Sequence, residues 1–345
     1  MDTLLDDVGS FPLLHNVDRS SFNRAYVFAR EAVIKGNNVK QDKFLFGNFY
    51  RVVLDSFRKK CETGLDVVNY PQHFDMNEQF SIAIHHAMSK GTFLIDEKEA
   101  VIPELYVIEK EAERLSKELG RRILLRVSIT GPMELYLKEI GTALHKDVLF
   151  MFAENAKTFA EATMLDSKYV KTTVVSLDEP SFGFHDIQAD RDTVQEALER
   201  AFDFRGVTTQ IHLHSSARLA DLLNVRNLHV LSFEYAASPK NIEWVSKRSL
   251  DRADKQIRVG ISRTDINSIL AELHGKGITK PTAEQLVESE DIIRKRFLTT
   301  KEKFGERMTF TGPDCGLGGW PSQDAAQLLL TRTVHAVKKV KHDVA

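Results

Sequence analysis

Only two cysteines, Cys61 and Cys315, occur in 345 residues, so no disulfide framework staples the chain. A reducing, cytoplasmic location is expected, and it leaves a thiol free for chemistry. No apolar run reaches the ~18–20 residues that a membrane-spanning helix needs. The stretch from Met1 to Asp7 carries acid where a secretory signal carries base, and no apolar core follows it. The net charge is only −2, which gives neither nucleic acid nor an anionic membrane a bulk reason to bind. No internal repeat, low-complexity tract or Pro/Gly/Ser-rich linker divides the chain. No glycine-rich dinucleotide fingerprint follows the first apolar segment.

What is present is alternation. Apolar, β-branched segments predict strands at 8–12, 64–69, 122–129, 172–177, 207–213, 228–233, 256–259 and 308–311. Helical patterns fall between them, among them 20–35, 43–62, 102–119, 146–162, 192–202, 282–304 and 324–340. Residues 70–79 read as a polar, aromatic loop. Strands alternating with helices argue for a parallel sheet, and eight such units for a closed (β/α)8 TIM barrel. The fold class is therefore α/β, as one barrel domain over 1–345 with extra helices before the second and third strands. An open doubly wound sheet competes, and the missing fingerprint weighs against it.

In a barrel the C-terminal strand ends build the site. Here they carry Ser10, Asn69 to Gln72, Thr130 to Pro132, Asp178 and Glu179, His212 to Ser216, Glu234, Arg263 to Asn267, and Asp314 with Cys315. His212 and His214 are two apart and share a strand face. Imidazole, carboxylate and thiolate together suit zinc. Each residue also has a plainer role. A strand-end histidine is often a hydrogen-bonded structural group, Glu234 could pair with Arg263, and Asp178 could cap a helix. Cys61, mid-helix and without a metal-capable neighbour, reads as packing.

Gly9-Ser10-Phe11-Pro12, Gly64-Leu65-Asp66-Val67, Thr130-Gly131-Pro132, Asp178-Glu179-Pro180, Ile211 to His214, Glu234 and Pro313-Asp314-Cys315-Gly316-Leu317 recur in this order. Together they resemble the catalytic domain of cobalamin-independent methionine synthase. The resemblance covers nearly the whole chain and implies a short, core-type member. It implies a TIM barrel that moves a methyl group to homocysteine with the help of zinc. His214, Glu234 and Cys315 match three of that family's four zinc ligands, and Ser216 stands where a second cysteine is found. Three readings stay open. The substrate thiolate completes the three-residue site, or His212 substitutes if it points inward, or zinc is lost. The resemblance also carries substrate contacts to Ser10, Asp178 and the loop near Gln72, and makes Asp178 and Asp265 the catalytic candidates.

A second departure concerns the methyl donor. The family's proton-donating histidine falls on Asn267, in Asp265-Ile266-Asn267-Ser268. Its folate-stacking aromatic falls near Lys138. The leaving nitrogen of methyltetrahydrofolate needs a general acid, whereas the cobalt of a methylcorrinoid leaves with its electron pair and needs none. A methylcorrinoid protein is therefore the expected donor, with methyltetrahydrofolate as competitor. The alternatives are methylation of another thiol such as coenzyme M, and a divergent metal-free binding barrel. A uroporphyrinogen-type decarboxylase would need an arginine cluster at the strand ends, which the sequence does not offer.

Overall fold

The apolar runs do become strands, and all eight are parallel. A computed structural model describes residues 2–344, and side chains for 2–340. The strands are β1 Leu4–Leu5, β2 Val68–Asn69, β3 Ile123–Thr130, β4 Val170–Asp178, β5 Thr208–Leu213, β6 Val230–Phe233, β7 Gln256–Ser262 and β8 Met308–Pro313. Their order in the sheet is β1-β8-β7-β6-β5-β4-β3-β2. A parallel bridge between Asp6 and Val67 then joins β1 to β2, and the Leu5 carbonyl accepts from the amides of Asp66 and Val67. The sheet thus curls round on itself, with helices outside, as a TIM barrel. Among the described residues, no helix is long and apolar enough to cross a membrane.

The first strand lies earlier than the expected 8–12. Gly9 adopts φ +143°, a conformation that favours glycine, and the chain turns there. β1 and β2 are two residues each because carboxylates do part of the ladder's work. Asp66 accepts from the Leu5 amide at 2.8 Å, and Asp7 accepts from the Asn69 amide at 2.8 Å. The segment 282–304 is not one helix. It breaks into Ala283–Leu286 and Glu290–Phe304, because Glu288 between them is held by both guanidinium nitrogens of Arg296, at 2.6 and 2.7 Å. The segment 43–62 carries a wide turn at Phe46–Tyr50 before the regular helix Arg51–Glu62. β3 ends at Thr130, close to the expected 129, and Pro132 just past it does more than close the strand. It opens the helix Pro132–Glu139, where its missing N–H is harmless.

The barrel interior is polar at its centre. Arg126 and Arg258, both fully buried, share the carboxylate of Asp6 at 2.9 and 2.5 Å. Arg258 also donates to the Pro313 carbonyl at 3.0 Å, and Arg126 to Ser176 Oγ at 2.9 Å. Lys60 pairs with Asp7 at 2.6 Å and is likewise fully buried. These groups form a floor beneath the strand C-termini. Cys61 is buried in the core, as its helical position suggested.

The extra helices before β2 and β3 build a second apolar cluster around Phe22, Tyr26, Phe49 and Phe74. Glu104 is fully buried, and neither of its carboxylate oxygens has a hydrogen-bond partner. Burial raises it from an ordinary 4.5 to about 8. The folded chain therefore keeps a proton that the unfolded chain releases, and stability falls as pH rises from 4.5 through about 8. Glu104→Gln is expected to melt a few degrees above the unmodified protein at pH 9 and close to it at pH 4. Thermal melts at the two pH values check this. An equal loss at both would show that the carboxyl contributes specific contacts instead.

Candidate metal and thiol site

The C-terminal strand ends meet in a cavity of ≈ 50 Å³ lined by Ser10, Gln72, Met76, Asp178, His214 and Cys315, among others. His212 and His214 come from the end of β5, Glu234 follows β6 and Cys315 follows β8. One donor atom from each of these four lies within 4.8 Å of every other. His214 Nε2 is 3.4 Å from Cys315 Sγ and 3.6 Å from a Glu234 oxygen. Among the described residues this is the one such grouping of metal-capable side chains.

Two clamps hold the cluster, and the sequence reading missed both. Asp314 is fully buried, and its oxygens accept from the amides of Tyr235, Ala236 and Ala237 at 2.9, 2.9 and 2.6 Å. It ties the loop that carries Glu234 to the loop that carries Cys315. A Cβ at position 260 would stand 2.3 Å from an Asp314 oxygen, so Gly260 makes room for the clamp. Asn241 is the second. Its amide donates to the carbonyls of His214 and Glu234, each at 2.8 Å. Only the residue type, a buried Asp beside a candidate ligand, hinted at the first; nothing local marks the second.

Ser216 faces away from the cluster. Its Oγ donates to the Asn241 carbonyl at 2.7 Å, and its amide donates to Asn241 Oδ1 at 3.2 Å. His212 does point inward. Its Nδ1 meets Ser232 Oγ at 3.1 Å, and its buried Nε2 has no hydrogen-bond partner.

Electrostatics favour a cation here. Burial, and then His214 and the guanidiniums of Arg258 and Arg126, hold His212 well below the ordinary imidazole value, so the ring is neutral. Burial pushes the Cys315 thiol up to about 12, with Glu234 adding to the effect. Burial also raises Glu234 to about 7, against the pull of His214. A bare cluster that resists negative charge is one that a bound cation relieves. Two imidazoles, a carboxylate, a thiol and an unpartnered ring nitrogen therefore fit zinc.

The remaining candidates are placed as follows. Asp178 lines the cavity and caps no helix. Its carboxylate accepts from Ser176 Oγ at 2.8 Å, and burial raises it to about 6 against Arg126. Ser10 sits beside Gly316 and Gly318, and its Oγ accepts from the Gly318 amide at 3.1 Å. Gln72 donates to Tyr70 and Gln79 at 3.1 and 3.0 Å. Asp265 lies outside the lining. Burial would raise it, but Arg263 outweighs burial and holds it low, gripping both oxygens at 3.0 and 2.8 Å. Glu234 makes no pair with Arg263, which engages Asp265 and Glu272 instead. Asn267 is exposed on the first turn of the helix Ile266–Gly275, and Lys138 is exposed as well.

No family model matches the sequence, and no curated protein matches it either. Solved structures do. A B12-independent methionine synthase from Shewanella sp. W3-18-1, in complex with selenomethionine, is similar with a TM-score of 0.61 at 14% identity, covering 99% of this chain and 98% of that one. The homocysteine methyltransferase MmuM from Escherichia coli, in its apo form, covers 96% of each chain at 10% identity and a TM-score of 0.44. Identities this low bear on the fold alone, and the first likeness supports the barrel.

Proposed function

We propose that this chain is a zinc-dependent methyltransferase that moves a methyl group to the thiol of homocysteine, giving methionine. One barrel domain over 1–345 carries the reaction, in the cytoplasm. The observation that supports it is the meeting of His214, Glu234 and Cys315 beside a cavity that also holds Ser10, Gln72 and Asp178. The B12-independent methionine synthase of similar fold makes this chemistry the natural reading.

Zinc held by His214, Glu234 and Cys315 would supply the positive charge that keeps a thiol ionised, since an ordinary thiol has a pKa of roughly 8.5. The chain's own groups position the substrate. Asp178 faces the ammonium, where the free Gln72 oxygen also accepts, and the Ser10 hydroxyl donates to the carboxylate end. Fixing sulfur and methyl in line replaces a bimolecular encounter. The sulfur lone pair forms the new S–C bond while the methyl's bond to its donor breaks and that electron pair leaves with the donor.

The cavity has space for a small amino-acid thiol arm, so the bulk of any donor stays outside it. At position 267 an exposed amide offers no transferable proton. Asp265, locked to Arg263, is a poor acid and serves to orient Arg263. The donor is therefore a methylcorrinoid protein, which needs no acid, rather than methyltetrahydrofolate. Zinc-loaded protein given homocysteine and methylcobalamin, as a probe of that donor class, is expected to form methionine by mass spectrometry. Equal turnover with methyltetrahydrofolate alone would refute the donor. Methylation of coenzyme M in preference to homocysteine would refute the acceptor.

A further inference from the structure

We infer that His212, and not Ser216, supplies the fourth protein group of the metal centre, so that the site is two imidazoles, one carboxylate and a single thiolate. This rests on the metal reading above and extends it to a residue that reading leaves unused. Strand geometry comes first. His212 and His214 point to one face, and Ser216 is the next residue of that alternation. β5 ends at Leu213, however, and the chain turns before the short helix Leu219–Leu222. Ser216 therefore leaves the face, and its hydroxyl is taken up by Asn241.

His212 occupies the place that Ser216 vacates. It is 2% exposed and lies in the cluster whose donor atoms are all within 4.8 Å of one another. Its two ring nitrogens differ. Nδ1 has a partner, Ser232 Oγ, on the neighbouring strand in direct register. Nε2 is buried without one. That division is characteristic of a ligating imidazole, whose other nitrogen donates to an orienting group and so fixes the tautomer. Ser232 is in turn approached by Arg258 Nη1 at 3.4 Å, and Arg258 is fixed by Asp6 at 2.5 Å. Ser232 is thus a positioning residue, and the barrel floor reaches the metal through it. One carboxylate and one thiolate balance the charge of a divalent cation, and the two imidazoles add none.

Cobalt(II) in place of zinc reports the ligands directly. The unmodified protein is expected to bind one cobalt with a single thiolate-to-metal charge-transfer band. His212→Gln is expected to keep that band, change the visible d–d bands and bind zinc at least ~10-fold more weakly in chelator competition. Ser232→Ala is expected to weaken zinc by ~10-fold or more, with a thermal melt of the metal-free variant separating this from the cost of the lost buried hydroxyl. Ser216→Cys is expected to leave the charge-transfer intensity unchanged. X-ray absorption of the unmodified zinc protein needs no variant, and is expected to show one sulfur near ~2.3 Å and two imidazoles near ~2.0 Å. A single imidazole in that spectrum, unchanged binding and bands in His212→Gln, or doubled charge transfer in Ser216→Cys would overturn the assignment of His212 while leaving the metal centre in place. Failure of the unmodified protein to bind either metal would overturn the metal reading itself.

Discussion

Cys315→Ser is expected to give a folded protein that holds zinc far more weakly, on two imidazoles and one carboxylate, and methylates its thiol substrate more than ~100-fold more slowly. Cys315 is the one sulfur in the cluster. A serine hydroxyl stays protonated near neutral pH and cannot stand in for a thiolate. Ser216 offers no rescue, because its oxygen is committed to Asn241. The fold survives because the thiol lies past the end of β8, while Asp314 beside it keeps its three amide bonds. Zinc content by mass spectrometry, read beside a thermal melt and the methionine yield, checks this. Full zinc and full turnover in the variant would end the assignment of Cys315.

The second large effect is expected in the barrel floor. Asp6→Asn preserves shape and removes one charge. Arg126 and Arg258 then stay buried without the carboxylate they share. Breaking a buried ion pair by removing one partner typically costs ~3–5 kcal/mol, because the remaining charge is left uncompensated. Arg126 keeps a more distant carboxylate, Asp178, at 3.9 Å. Arg258 gains no such relief, so the loss is expected to fall mainly on β7 and β8. Chemical denaturation checks the size of the effect. A change below ~1 kcal/mol would mean that the amide and the surrounding hydroxyls satisfy both guanidiniums.

β3 to β8 were legible in the sequence, because strands covered on both faces read as apolar runs. Parallel order and the polar strand ends followed from them. β2 fell inside the expected 64–69, but β1 was not legible, since Asp6 and Asp7 beside it look like loop residues until their long-range partners are known. Arg126 and Arg258 sit in the middle of apolar runs, and that anomaly was the available signal for a charged interior. His214, Glu234 and Cys315 could be singled out by residue type and by resemblance. The direction of His212 could not, because it depends on Ser232 across the sheet. Asn241 and Asp314 act through backbone atoms of other loops, which leaves no local pattern to read. The missed helix starts, such as Pro132, sat immediately after strand ends, where a turn residue and a first-turn proline look alike.

The sharing of Asp6 also has a temporal side. This carboxylate is made well before its partners: Arg258 emerges 252 positions later, and β8 later still. Until then, β1 can join only β2, and the side of β1 that β8 will cover stays open. Contacts this distant in sequence are slow to form, so the ring is sealed after synthesis of its last strand, and a partly made chain presents an open sheet edge to whatever folding helpers attend it.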